Sequence, residues 1–577
     1  MSNFYNQASW VLVPDGIEED IVFAQKPTSG LGDLTFTRAS DATYTDSTGV
    51  VRRSPYNLVQ FSEEFDNAYW TKVKGGVALI PVVTANVEVA PNGTMTADRI
   101  VFNLNGGTTG SDFSQLRSGS FIYSSDTRTQ SIYLRTTDNT NKVFTYVSPT
   151  GSQTSITVTP TYQRFTFTST GVGSDTIRLR LLGAGEGTAT SATVAAWGAQ
   201  FVEGTSALDY FPTTNRQDVP RIDFRNADGT LSSCGRLLLE PQRTNSIRNS
   251  TMVGAVAGSP GTLPNNWLVT NAGLTQTVVG TGTENGLPYI DLRFNGTASA
   301  AEVLVASELG SAIAATSGQT WSSAVYARTI AAPAAPNTRN LRIAEISAIG
   351  TIVVRQLFPV TLTSTLQRFA GTRTLNGGAT VAFVNSGLLF ELTIGNTYDF
   401  TIRIAAPQME LGAYATTFIP TTTAAVTRLR DEAQKTGVSS IIGQSAGTIF
   451  WDITDLTGTV TGTGNPDFGI RNTAFTNWIG ITTDTFATPF RVVVRATSGV
   501  LISYIANITR VKAAVAWSSA GAVLYVNGVQ VGTSAVNPNF SFDRIDMLGG
   551  IISYKTNQAA LFPTRITNEQ LQSLTTL

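Results

Sequence analysis

The chain has 577 residues, which at roughly 100–200 residues per domain predicts about three to five domains, each large enough to bury its own core. Hydrophobic residues make up 42% and charged residues only 14%, against about 25% in ordinary soluble domains; Thr, Ser, Gly, Asn and Gln take the place of charge, which suits sheet faces and turns and argues against disorder. With 39 basic and 40 acidic residues the net charge is −1 and no basic run stands out, which excludes a nucleic-acid partner and an anionic membrane surface.

The opening Met-Ser-Asn-Phe-Tyr-Asn has neither the basic nor the apolar region of a signal peptide, so synthesis in the cytoplasm is expected. No run of about 18 apolar residues occurs, and no membrane insertion is expected. Further along, 129–136 (TQSIYLRT), 154–159 (TSITVT), 162–168 (YQRFTFT) and 176–182 (TIRLRLL) alternate polar with apolar residues. Period two sends alternate side chains to opposite sheet faces, and Gly, Asn, Asp and Pro turns separate these runs at sandwich-like spacing. The fold class is therefore all-β, in β-sandwiches.

An internal repeat sets the domain map. Residues 200–214 (QFVEGTSALDYFPTT) align without a gap on 408–422 (QMELGAYATTFIPTT). Upstream, YLRT at 133–136 matches YART at 326–329, and QRF at 163–165 matches QRF at 367–369. Near each start an Asn precedes a Trp, Asn57 with Trp70 and Asn245 with Trp267. The order is kept while loop lengths differ, as in a duplicated sandwich. The predicted map is an N-terminal segment 1–56, a first sandwich 57–214, a bridging segment 215–244, a second sandwich 245–422 and a distinct C-terminal domain 423–577. In that last domain Asn527-Gly528, between two alternating strands, is a strong hairpin signal. The segment 566–573 reads as a short terminal helix capped by Thr567.

The chain has no histidine and one cysteine, which removes Ser-His-Asp and Cys-His machinery, thiolate zinc sites within one chain and intrachain disulfides. Cys234 is expected as a small buried hydrophobe. Glycoside hydrolysis needs only two carboxylates across a cleft. Asp66, Asp98, Asp209, Asp291, Asp467 and Asp546 are available, but as isolated turn-type residues rather than a motif. No catalytic residue and no metal ligand is therefore assigned, and the chain reads as non-enzymatic. Trp70, Trp197, Trp267 and Trp321 sit on repeat-matched apolar strands and are expected in the cores. Trp478, after Asn477 in a Thr/Asn-rich stretch, is the weak candidate for a ligand-binding surface.

The segments 34–53 (LTFTRASDATYTDSTGVVRR), 219–224 (VPRIDF) and 236–245 (RLLLEPQRTN) resemble a module of tailed-bacteriophage virion proteins. In those proteins such segments precede a carbohydrate-binding-module-like jelly roll that opens with a Trp and closes with a WGAQ-like strand. Here Trp70 and Trp267 match the opening, and 197–200 (WGAQ) the closing; the second copy departs by having Ala405 where a Trp would stand. The C-terminal domain resembles the concanavalin A-like, laminin-G-like fold through 514–532 and 560–577. The resemblance implies a fibre or spike of the virion, assembled in the host cytoplasm. It implies a homotrimer whose partners are other virion proteins and a host surface glycan, with the C-terminal domain as the receptor-facing tip and 1–56 for attachment or assembly. Calcium is common in both resembled folds, with 138–141 (DNTN) and 464–467 (GNPD) as possible loops. Two alternatives stand beside this reading: a purely structural head fibre or decoration protein, and a glycan-degrading spike.

Overall fold

The structure is a computed structural model that describes residues 2–577 except 15–16, 19–20, 39, 55–56, 120, 124–127, 148–152, 170–172, 185–188, 204–206, 208–209, 211, 214–218, 332–335, 337, 459–466, 483–489 and 551. Nearly all of the regular structure is antiparallel strand, and no described helix is long and apolar enough to cross a membrane. The chain divides into two compact units, one of residues 18–20 and 55–219, the other of 1–17, 21–54 and 220–577.

The first of these is a sandwich of two five-stranded sheets. One runs in the order Gln153–Val158, Lys142–Val147, Arg178–Leu182, Phe113–Arg117, Thr71–Gly75, and the other Gln163–Ser169, Arg128–Thr136, Ser191–Glu203, Ala97–Asn103, Leu79–Glu88. The period-two runs turn their apolar set into one core, with Trp70, Phe102, Ile132, Leu179 and Phe201 among its members.

The larger unit holds two sandwiches. The second copy of the repeat has a five-stranded sheet ordered Thr275–Glu284, Leu287–Thr297, Thr397–Leu411, Thr320–Ala331, Gln367–Thr374. It faces a sheet ordered Leu268–Thr270, Glu302–Ala306, Val381–Glu391, Arg339–Ser347, Ile352–Pro359. The duplication extends to single hydrogen bonds. Asn57 Oδ1 accepts from Val59 N and Phe201 N, both at 3.0 Å, and its Nδ2 donates to Ala199 O at 3.2 Å. Asn245 Oδ1 accepts from Ile247 N and Met409 N, both at 3.1 Å, and its Nδ2 donates to Pro407 O at 3.3 Å. Each Asn clamps the segment that leads into its sandwich to the long strand near that sandwich's end.

The C-terminal sandwich corrects the predicted map. Residues 1–56, expected as a separate attachment segment, supply strands to it: Trp10–Leu12 pairs with Ser553–Phe562, and Leu34–Thr37 pairs with Glu432–Thr436. The bridge does the same, through Arg221–Arg225 and Leu231–Leu239, the latter pairing with Ser553–Phe562. One core joins Trp10, Leu12 and Phe36 to Leu237, Trp451, Trp517 and Leu561. The reason is apolar: strands of this sandwich would leave edges and one core side exposed without the segments the chain holds outside 423–577. The first and last strands lie side by side, so attachment at one terminus and a receptor-facing tip at the other are not separated in the fold. The sequence signals for local structure hold here. Asn527 and Gly528 take φ of 48° and 81° between paired strands Gly521–Val526 and Val529–Ser534. Thr567 caps helix Asn568–Thr575 in a reciprocal pair with Gln570.

Candidate functional site

The segments that carry the family resemblance meet in the larger unit as a buried ionic cluster. Arg38 follows strand Leu34–Thr37, Arg221 opens strand Arg221–Arg225, Glu240 follows Leu231–Leu239, and Arg428 and Asp431 come from the link after the second sandwich. Arg221 and Arg428 each donate to Glu240 Oε2 at 2.7 Å, and Arg38 donates to Asp431 Oδ1 at 3.0 Å. Arg221 also pairs with Asp431. The remaining lone pairs are used: Thr417 N donates to Glu240 Oε1 at 2.8 Å, Thr417 Oγ1 to Glu240 Oε2 at 2.6 Å, and Glu240 N to Asp431 Oδ2 at 2.8 Å. Burial pushes the Glu240 carboxyl up, but Arg428 and Arg221 outweigh it and hold the group well below the usual carboxylate range. Such a cluster is tolerated in an interior only because each charge is paired and hydrogen-bonded. It is sealed from solvent and acts as the joint between segments, not as a binding surface.

Above this joint opens a cavity of about 300 Å³. Its volume lies at the lower end of the range for small-molecule sites, about 300–1,000 Å³. Tyr44 and Val51 enter it from the hairpin of strands Ala42–Thr45 and Val51–Ser54, Asp223, Arg225 and Asn226 from the bridge, Tyr326 and Arg368 from the second sandwich, and Asp455 and Lys555 from the C-terminal sandwich. Lys555 Nζ lies 2.8 Å from Asp223 Oδ2 and 2.9 Å from Asp455 Oδ2, so one ammonium bridges both carboxylates. The Arg225 and Arg368 guanidinium carbons lie 5.4 and 6.0 Å from the Tyr326 ring centre.

The repeat shows how the two copies differ beside this cavity. In the first sandwich Tyr133, the counterpart of Tyr326, packs 5.4 Å from the Trp197 ring, which in turn lies 4.4 Å from Tyr210. Arg164 stands over Tyr133 at 5.2 Å, as Arg368 does over Tyr326. Both copies carry a bulge here, marked by Gly198 at φ 65° and Ala406 at φ 48°. Where the first copy has the indole of Trp197, the second has the methyl of Ala405, and Tyr326 with Arg368 lines a cavity instead. The walls present guanidinium, ammonium and amide donors beside carboxylate and backbone acceptors, around aromatic rings. That is chemistry for holding a polyhydroxylated ligand. With Asp223 and Asp455 both bound to Lys555, the cavity presents no uncommitted carboxyl pair among the described residues.

The residues singled out from sequence lie elsewhere. Trp478, the weak surface candidate, is only 8% exposed on a strand paired on both sides, so no indole face is offered to a ligand. Trp70, Trp267 and Trp321 are core residues, and Trp197 is buried in the aromatic cluster described above. Cys234, expected to be buried, is exposed: strand Leu231–Leu239 begins beyond the core and buries only its second half. Asp98 accepts from Phe65 N and Asn86 N, both at 2.8 Å, and burial pushes its carboxyl up to about 6. Asp291 pairs with Arg403 at 2.8 Å and Asp546 with Arg544 at 2.6 Å. Asp467 is buried and Asp209 lies outside the described residues.

The 138–141 loop does not fit a calcium ion. Asp138 Oδ1 accepts from Thr140 Oγ1 at 2.8 Å and its Oδ2 meets the Lys142 ammonium at 3.1 Å, so a cation already occupies the carboxylate. Of the second loop, 464–466 lie outside the described residues, and among the described residues no group of three or more acidic, His or Cys side chains could hold a metal ion. Sequence reasoning missed the cavity because its walls come from stretches of chain scattered between Thr43 and Lys555. The one available signal was the exchange of Trp197 for Ala405 within an otherwise matched strand.

No family model matches the chain, and no curated protein matches it. Among solved structures it is similar to the tandem CBM22-1–CBM22-2 domain of Paenibacillus barcinonensis Xyn10C. That likeness has 11% identity and TM-score 0.21, and covers 62% of this chain and 97% of the other. It is also similar to a CBM4 structure, at 20% identity and TM-score 0.18 over 28% of this chain and 99% of the other. The enzymatically active domain of bacteriophage CBA120 tailspike protein 4 follows at 12% identity and TM-score 0.19, covering 29% of this chain and 21% of the other. At such scores these likenesses carry no argument, and the sandwich fold is read from the sheets themselves.

Proposed function

We propose that the protein is a non-catalytic attachment component of a bacteriophage virion, a fibre or spike that presents β-sandwiches to a glycan of the host surface. The observation that carries this reading is the cavity of about 300 Å³ lined by Tyr44, Tyr326, Arg225, Arg368 and the Asp223–Lys555–Asp455 bridge. Its alternation of donors, acceptors and rings suits sugar hydroxyls, while the pairing of its carboxylates leaves no general acid and base in place. The virion setting is supported by the FTRAS-, PRIDF- and LLLEPQRTN-type segments, whose charged residues build the joint beneath the cavity. Assembly in the host cytoplasm as a homotrimer, beside other virion proteins, follows from the same resemblance. Several weak sites on one particle give avidity without tight single sites.

The test is binding of the full chain to an array of bacterial surface glycans, with a capsid-protein pull-down in parallel. Saturable binding of one glycan class, weakened at least tenfold by Arg225→Ala with unchanged thermal unfolding, is the expected result. A silent array with a positive pull-down overturns it in favour of a purely structural fibre or decoration protein. Release of reducing sugar would establish a glycan-degrading spike instead.

A further inference from the structure

In the 55–219 unit, the sheet containing Phe113–Arg117 and Arg178–Leu182 turns Leu116, Leu179 and Leu181 into the core and the alternate residues outward. On that outer face Arg117 stands directly across from Arg178, Gln115 from Arg180, and Phe113 from Leu182. The Arg180 guanidinium lies over the Phe113 ring at 4.4 Å, and its Nε donates to Gln115 Oε1 at 2.9 Å. Arg178 Nε donates to Thr176 Oγ1 at 2.6 Å. Among the described residues no carboxylate pairs with any of these arginines. Burial, and then the neighbouring Arg178 cation, hold Arg180 below its ordinary pKa.

The second sandwich is an internal control. Its strands Glu302–Ala306 and Val381–Glu391 hold the same places in the same sheet order, with the strand after Trp267 flanking them as the strand after Trp70 does here. The register puts Ala306 across from Gly387 where the first copy has Arg117 and Arg178, and Leu304 across from Leu389 where it has Gln115 and Arg180. The outermost pair is Glu302 and Glu391 in place of Phe113 and Leu182. This sandwich is therefore built without arginine at any of these positions. The second copy's arginines on this face, Arg342 and Arg355, stand on the neighbouring strands instead, with Arg355 paired to Glu302 at 2.8 Å.

We propose that this face binds an anionic polysaccharide through its carboxylate-bearing sugars, with Arg117, Arg178 and Arg180 as the recognising residues. A guanidinium fork matches a carboxylate in plane and in spacing, and stays charged at any working pH. Strands are about 4.8 Å apart and alternate residues about 7 Å, so Arg117 across the ladder and Arg180 along the strand both flank Arg178, and the three forks form one compact cluster that several acidic sugars can contact together. The inference rests on the reading of the protein as a glycan binder and names the glycan class for a second site.

The probe is polygalacturonate, titrated against the full chain beside a neutral glucan and a single-stranded oligonucleotide of equal charge. Expected are binding that weakens steeply between about 50 and 200 mM salt and an at least tenfold loss in the double variant Arg117→Ala, Arg180→Leu. That variant installs the residues of the second copy and leaves thermal unfolding unchanged; Arg178→Ala is the second variant should it fail to fold. Undiminished binding by the variants overturns the assignment, as does preference for the oligonucleotide. Array binding that depends on Arg225, with no polygalacturonate bound, overturns this inference alone. Loss of all glycan binding overturns the cavity reading with it.

Discussion

Arg38 donates to Asp431 across 3.0 Å at a sequence separation of 393, and neither side chain is exposed. Between those two residues in sequence lie both copies of the repeat; in space, their contact closes the N-terminal strands onto the C-terminal sandwich. Removing one partner strands a buried charge, which costs about 3–5 kcal/mol. Asp431→Asn is therefore expected to lower the unfolding midpoint of the larger unit in urea, leaving the transition of the 55–219 unit in place. Equal midpoints for variant and parent would show that the cluster contributes nothing net.

The matched clamps Asn57 and Asn245 make a paired prediction. Each accepts from two backbone N–H groups and donates to a backbone carbonyl, and leaving buried groups unsatisfied costs about 1–3 kcal/mol each. Asn57→Ala is expected to destabilise the 55–219 unit and Asn245→Ala the larger unit, by similar amounts. Denaturant unfolding followed by domain-specific hydrogen exchange separates the two.

Asp98 gives the 55–219 unit a pH dependence of unusual sign for a carboxylate. Its pKa is raised from 3.8 to about 6 by burial, so between those values the folded state binds more protons than the unfolded. The contribution is fully present below pH 3.8 and is lost as pH rises through about 6. Thermal midpoints of this unit should fall over that window, and the slope should flatten in Asp98→Asn, whatever its absolute stability.

Trp197→Ala copies the second sandwich's residue into the first. It removes a buried indole from its contacts with Tyr133 and Tyr210, at an expected cost of about 3–5 kcal/mol. A crystal structure of the variant should show a cavity over Tyr133 and Arg164. Collapse of the neighbouring loops into that space would show that Ala405 does not by itself open the cavity of the second copy.

Period-two patterning carried the all-β class, and the repeat made the matched Asn57 and Asn245 visible, because strands and their local turns follow from near neighbours. Asn527-Gly528 and Thr567 were legible for the same reason: positive φ and helix capping are properties of a few adjacent residues. The place of Trp10, Phe36 and Leu237 in one core, the exposure of Cys234 and the burial of Trp478 were decided only by tertiary structure. So were the cavity and the arginine cluster. Each depends on which strands lie side by side, and that choice is set by burial of apolar surface over hundreds of residues, which no local pattern records.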